Sequence, residues 1–156
     1  MHFLSPITGP SSRPHRLVNA TRSIVLAEVV EGAFDSNTRR RGLLGRSSLP
    51  EQSALIIAPS SAIHTFGMKF AIDAVFVNRR GEILKRVTAL KPRRIAARPG
   101  AFAVIEFCAR HPGVARCARG DVLVLALHEG PHVGSGLSET FAESTVESAN
   151  QGGPPR

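Results

Sequence analysis

The 156-residue sequence has no tryptophan and no tyrosine, and it has only two cysteines. Eight phenylalanines are its whole aromatic complement beyond histidine, and most of them lie in apolar runs that read as core. Stacking on single-stranded nucleic acid needs exposed rings interleaved with basic residues, and here only phenylalanine could supply them. Cys108 and Cys117 are too few for a disulfide framework. No apolar run approaches the ~20 residues of a membrane span. Near the N-terminus, Pro6, Thr8, Gly9, Pro10 and Arg13 interrupt any continuous apolar stretch. The sequence therefore predicts no secretory signal, and the expected location is a reducing cytoplasm.

Acidic residues are also scarce: 12 against 20 basic ones, a formal net charge of +8 with histidine neutral. Lysine accounts for only three of the 20 basic residues and arginine for 17. The excess is uneven. Residues 1–23 hold three arginines and no acid, residues 24–128 carry +8, and residues 129–156 carry −3. Guanidinium forks onto carboxylate and phosphate, so an anionic partner is the natural expectation: a small acid, a nucleic acid or an acidic lipid surface. A solvated arginine-rich surface is the plainer reading of the same charge.

The length predicts one domain. Residues 1–23 read as a flexible arm, residues 24–128 as the folded domain, and residues 129–156, rich in Gly, Ser, Pro and Glu, as a disordered tail. Within the domain, Ile24–Val30, Ala54–Ala58, Ile63–Met68, Ile72–Val77, Glu82–Val87, Ala103–Cys108 and Val122–Leu127 read as strands. Asn78-Arg79-Arg80-Gly81 is a hairpin turn. Asp35 or Ser36 can cap a helix through Leu44, stopped at Gly45. Pro112–Cys117 is a second short helix or turn, and Lys91–Arg98 a basic loop. Many short strands with few helices predict a β-rich α+β domain.

The segment from Ile63 to Val77 carries the polar groups of most interest. In an extended chain Ile72, Ala74 and Phe76 oppose Asp73, Val75 and Val77, the pattern of a half-buried strand. His64, Lys69 and Asp73 interrupt this apolar stretch, where an ionisable group is costly unless paired. His64 has three readings: a general base, a metal ligand, or an internally hydrogen-bonded residue. It lacks the ligand cluster of common metal sites, which favours the last. Lys69 and Asp73 can pair with each other, or with Arg46 and Glu106. Arg39 and Arg46 could clamp a carboxylate. Cys108, His111 and Cys117 supply three ligands in no common zinc spacing, so no metal is expected. There is no phosphate-binding glycine loop and no nucleophile elbow, and no cofactor is expected.

Three ordered motifs give a family resemblance. Arg39-Arg40-Arg41-Gly42-Leu43-Leu44-Gly45-Arg46 resembles the R-x-x-G-L-M-x-R segment of the DUF192 family. His64-Thr65-Phe66-Gly67-Met68-Lys69, continued to Val77, is similar to its central segment. Pro99-Gly100-Ala101, Val104-Ile105-Glu106 and Arg119-Gly120-Asp121 resemble its closing pattern. Leu44, Phe70-Ala71 and Cys117 depart from the residues common there. The resemblance spans about residues 24–127 and implies a compact, barrel-like, antiparallel β-rich α+β domain, here with two short helices. It implies no reaction. Three functions stay open. One is a small accessory or binding domain holding an anionic small molecule or peptide carboxylate at His64, Lys69, Asp73, Arg39 and Arg46. Another is a hydrolase-like enzyme with His64 as base and Asp73 orienting it. The third is weak, non-specific polyanion binding through Arg79, Arg80, Lys91, Arg93 and Arg94. The sequence sets no oligomeric state.

Overall fold

The longest apolar strands occupy the middle of the molecule and are covered on both faces. The structure is a computed structural model, and it describes residues 2–8 and 14–128. In chain order the elements are α1 (Ser5–Thr8), β1 (His15–Asn19), β2 (Ile24–Ala27), β3 (Val29–Ala33), α2 (Ser36–Arg41), β4 (Ser53–Ile57), β5 (Ala62–His64), β6 (Ile72–Val77), β7 (Ile83–Leu90), β8 (Ile95–Ala97), β9 (Ala103–Cys108), α3 (Pro112–Ala115) and β10 (Leu123–Leu127). They form a five-stranded sheet in the order β3-β4-β9-β6-β7, a three-stranded sheet β10-β1-β2, and the two-stranded pair β5-β8.

The β-rich class is as the sequence predicts, with corrections in detail. Among the described residues there are three short helices rather than two. The described strands make three sheets and do not close into a barrel. The large sheet is mixed, because β3 runs parallel to β4 while every other pairing is antiparallel. The segment expected as a flexible arm contributes α1 and β1. Leu17 is buried and Leu4 nearly so, and both join the core, which is enough apolar area to hold that segment down. The expected tail at 129–156 lies outside the described residues.

Two apolar clusters sandwich the five-stranded sheet. On one face Ile56, Val75, Val77, Ile105 and Phe107 meet Leu17, Leu26, Leu123 and Leu125 of the three-stranded sheet. On the other, Leu55, Ile57, Ile72, Phe76 and Val104 are capped by Leu43, Leu49, Ile63, Met68 and Ala96. Every residue of β4 and β6 is buried. The alternation read at Ile72–Val77 therefore separates two buried faces, not core from solvent. A strand buried on both faces reads as a near-continuous apolar run, as this one does apart from Asp73.

Asp73 is fully buried and fully bonded. Its Oδ1 accepts from the amides of Ala89 (2.8 Å) and Arg110 (3.0 Å), and its Oδ2 from the amide of His111 (3.0 Å). Ala89 and Arg110 both have positive φ, 49° and 61°, which costs a residue with a Cβ about 1 kcal/mol or more. The pairing of β6 with β7 slips at Ile72/Ala74, and the Asp73 carboxylate takes up the amide that the bulge displaces. One side chain thus fixes the bulge in β7 and the turn after β9. His111 continues the chain of support: its Nδ1 accepts from Val114 N at the start of α3, and its Nε2 lies 3.0 Å from the Glu51 carbonyl, to which it donates in that tautomer.

Asp73→Ala removes three charge-assisted hydrogen bonds and strands three amides. We expect a loss of roughly 3–5 kcal/mol in urea unfolding. A loss below about 1 kcal/mol would mean that the carboxylate does not organise these turns.

Candidate functional site

Lateral register places a row of residues across the five-stranded sheet: Glu31 on β3, Leu55 on β4, Glu106 on β9, Ala74 on β6 and Val87 on β7. Laterally paired residues project to the same face, here the one capped by Leu43, Leu49 and Met68. Glu106 is therefore a carboxylic acid set among aliphatic side chains, and the small Ala74 beside it leaves room for it. The residue is 3% exposed, and its Oε2 is buried with no hydrogen-bond partner among the described residues. Burial pushes its carboxyl up to about 7, against a smaller opposing pull from the Arg46 charge.

Arg46 reaches this region because of how residues 35–49 fold. The Asp35 carboxylate caps α2, accepting from the amides of Asn37 (2.9 Å) and Thr38 (3.0 Å). Gly42 (φ 46°) ends the helix earlier than expected, in a left-handed conformation open to glycine. Leu43 and Leu49 then plug into the apolar cluster and hold the turn between them. From it Arg46 forks onto Glu31, Nη1 to Oε1 at 2.9 Å and Nη2 to Oε2 at 2.6 Å. That fork holds the Glu31 carboxyl below its ordinary value, although burial opposes it. Between the turn and the sheet lies a cleft of ≈400 Å³, lined by Thr38, Arg41, Gly42, Leu44, Gly45 and Arg46 on one side and Glu31, Ala33 and Leu55 on the other. Glu106 stands one strand further in than Leu55.

The five residues proposed from sequence do not share one cavity. Arg46 lines the cleft. Arg39 is turned back on its own helix, with Nη1 donating to the Phe34 carbonyl at 2.6 Å, and Arg41 stands at the cleft in its place. Asp73 is consumed by its three amides. His64 and Lys69 are exposed, and His64 sits on the separate β5-β8 pair with its ring 5.8 Å from that of Phe66. The His64–Asp73 dyad of a hydrolase is therefore not assembled: all three hydrogen bonds of Asp73 go to backbone. Cys117 accepts from Asn19 Nδ2 (3.3 Å) and donates to the Gly113 carbonyl (3.4 Å), and burial raises its thiol. Among the described residues no group of three His, Cys, Asp or Glu side chains is placed to hold a metal.

Arg41 on the cleft and Glu106 beneath it are residues that sequence reasoning did not place among the candidate ligand-binding residues. Glu106 carried the same signal as Asp73, a lone acid inside the apolar run Val104–Cys108. Nothing in the order Arg39-Arg40-Arg41 tells which guanidinium meets the cleft.

A carboxyl near 7 is half protonated at neutral pH, so it can take up or release a proton and change the charge beneath Arg46. It also leaves a mark on stability. In the unfolded chain the group titrates near its ordinary 4.5, and in the fold near 7. Between those values the folded state keeps a proton that the unfolded state has released. Its stability is therefore complete below 4.5 and declines as pH rises through 7. Glu106→Gln should be more stable than the native chain by roughly 3 kcal/mol at pH ~8 and by less than about 1 kcal/mol at pH ~5. Denaturation across that range reads the difference, and parallel curves for the two proteins would place the Glu106 proton elsewhere.

Comparison with known proteins bears on the fold. Two solved structures superpose on the chain. One is described as a candidate transcription regulator from Sinorhizobium meliloti 1021, with TM-score 0.62 and 21% identity, covering 75% of this chain and 98% of the other. The second is a protein of unknown function from Novosphingobium aromaticivorans DSM 12444, with TM-score 0.60 and 18% identity, covering 74% and 89%. At these identities they report a shared architecture and nothing of activity. No curated protein matches. The model of the DUF192 family, described as "Uncharacterized ACR", matches residues 18–123. That span takes in the cleft turn, the Asp73 strand and the Glu106 strand, and the chain belongs to the DUF192 family.

Proposed function

We propose that the protein is a small binding domain that holds an anionic small molecule or peptide carboxylate in the Arg41–Arg46 cleft. The observation that carries this reading is the placement of two guanidiniums on a ≈400 Å³ cleft, one of them already in bidentate contact with a carboxylate. Glu31 occupies Arg46 in the geometry that an incoming carboxylate would take. Both side chains of that pair are more than a third exposed, so exchanging an internal carboxylate for an external one costs little desolvation.

Glu106 makes the binding depend on pH. When ionised it pulls on Arg46 from beneath and competes with the anion. When protonated it leaves Arg46 with Glu31 alone. Affinity for an anion should rise as pH falls through about 7. A binding role asks nothing of His64 and Asp73, which the fold keeps on different sheets.

The test is an NMR titration with citrate, and with a short peptide carrying either a free C-terminal carboxylate or its amide. Shifts should concentrate in residues 38–46, with the free carboxylate preferred over the amide. Arg46→Gln should weaken binding about tenfold or more, the worth of a charge-assisted fork. Arg41→Ala should weaken it less. Shifts that ignore this turn, or an affinity that Arg46→Gln leaves unchanged, would rule the cleft out.

A further inference from the structure

The β5-β8 pair lies over the second apolar cluster, and its outer face is unpartnered among the described residues. Its inner face is anchored: Ile63 and Ala96 are buried in the second apolar cluster. On the outer face His64 is laterally paired with Ile95, so the two side chains project together. Ile95 is 68% exposed and Phe66, beside His64, is 49% exposed. No other large apolar side chain among the described residues is as exposed as Ile95.

This lobe is also the most one-signed region of the chain. Residues 58–72 and 91–102, the two short strands and their flanking loops, contain five basic residues and no acid. Lys69, Lys91, Arg93 and Arg94 are all exposed and lie in the loops that flank the two short strands.

The lobe is stiff. Thr65 is fully buried and ties the strands' loops together, donating its hydroxyl to the Lys91 carbonyl at 2.7 Å and accepting from the Arg94 amide at 2.9 Å. The Arg93 and Thr65 amides close the clasp, donating to Thr65 O (3.1 Å) and Arg94 O (2.9 Å). Phe66, Ile95 and the basic loop are thus presented together without an ordering cost on contact.

We propose that this lobe is a docking surface for an anionic phospholipid bilayer, with Phe66 and Ile95 entering the interface and the flanking Lys and Arg side chains meeting headgroup phosphates. An exposed phenylalanine alone would serve a nucleic acid equally well, through stacking. An aliphatic tip at Ile95 has no such use, but it gains free energy on leaving water for acyl chains. Charge complementarity supplies the rest, as basic side chains at an anionic membrane surface each add an attraction that salt screens. The site is separate from the Arg41–Arg46 cleft, and its residues take no part in that reading.

The chain has no tryptophan, so Phe66→Trp and Ile95→Trp each install a single reporter. The probe is vesicles of phosphatidylcholine alone, or of phosphatidylcholine with equimolar phosphatidylglycerol. Expected results are co-sedimentation with the anionic vesicles only, a blue shift of either tryptophan on binding, and release by salt. Each neutralised basic residue should weaken binding about fivefold. Ile95→Ser is exposed and should keep the native circular dichroism, yet bind anionic vesicles more weakly. Failure to bind anionic vesicles would overturn the proposal, as would binding with no blue shift or no response to Ile95→Ser. Preference for an oligonucleotide, or self-association that Ile95→Ser abolishes, would assign the surface to nucleic acid or to a second copy instead.

Discussion

Burial of the five-stranded sheet on both faces is the constraint on which the rest of the structure depends. With the three-stranded sheet on one side and the Leu43–Leu49 turn and β5-β8 pair on the other, its central strands have no face left for water. Any polar side chain on β4, β6 or β9 must find its partners inside the protein or bear the cost of going without. Two carboxylates stand on adjacent central strands, and they meet that demand in opposite ways. Asp73 collects three amides and becomes an organiser of turns. Glu106 leaves Oε2 unpartnered and holds its proton to about 7. The difference follows from which face each one looks to. Asp73 shares its face with displaced amides of a bulge and a turn, whereas Glu106 shares its own with Leu55, Ala74 and Val87.

A second consequence is the placement of the cleft. On the face covered by a short helix and an irregular turn, the cleft opens between that turn and the sheet. The glycines at 42 and 45, both at positive φ, let the chain reverse between two leucine anchors, and Arg46 emerges over the strand row. Charge in and beneath the cleft is thereby set by Arg41, by the half-exposed Arg46–Glu31 fork, and by the buried Glu106 carboxyl beyond Leu55.

Much of this was legible in the sequence. Asp35 as a cap, the hairpin turn at Asn78–Gly81 and the limits of β6 and β9 follow from local chemistry that the fold does not override. β8 was hidden because three residues, Ile95–Ala97, are too few to show a period within a basic, proline-flanked loop. β1 was hidden by its position near a polar terminus, although Leu17 and Leu123 need each other's cover. For Asp73 the sequence left structural pairing, ligand binding and catalysis open for a physical reason: a lone acid in an apolar strand signals a special environment, and only the β-bulge opposite tells whether amides or a cavity await it. Glu106 bore the same signal and was the more informative of the two. Which of Arg39 and Arg41 meets the cleft was not decidable from the sequence: they lie about 200° apart on a helix, and the choice depends on how the chain turns at Gly42.

The central claim is that one interior carboxyl of this sheet is structural and the other exchanges its proton near neutral pH. Carbon-13 NMR of the side-chain carboxyls tests it most directly, with Glu106→Gln used to assign the resonance. The account predicts that the Glu106 carboxyl titrates near 7 while the folded state persists. A Glu106 midpoint at the ordinary value of about 4.5 would contradict it, and would make that face of the sheet as quiet as the one that holds Asp73.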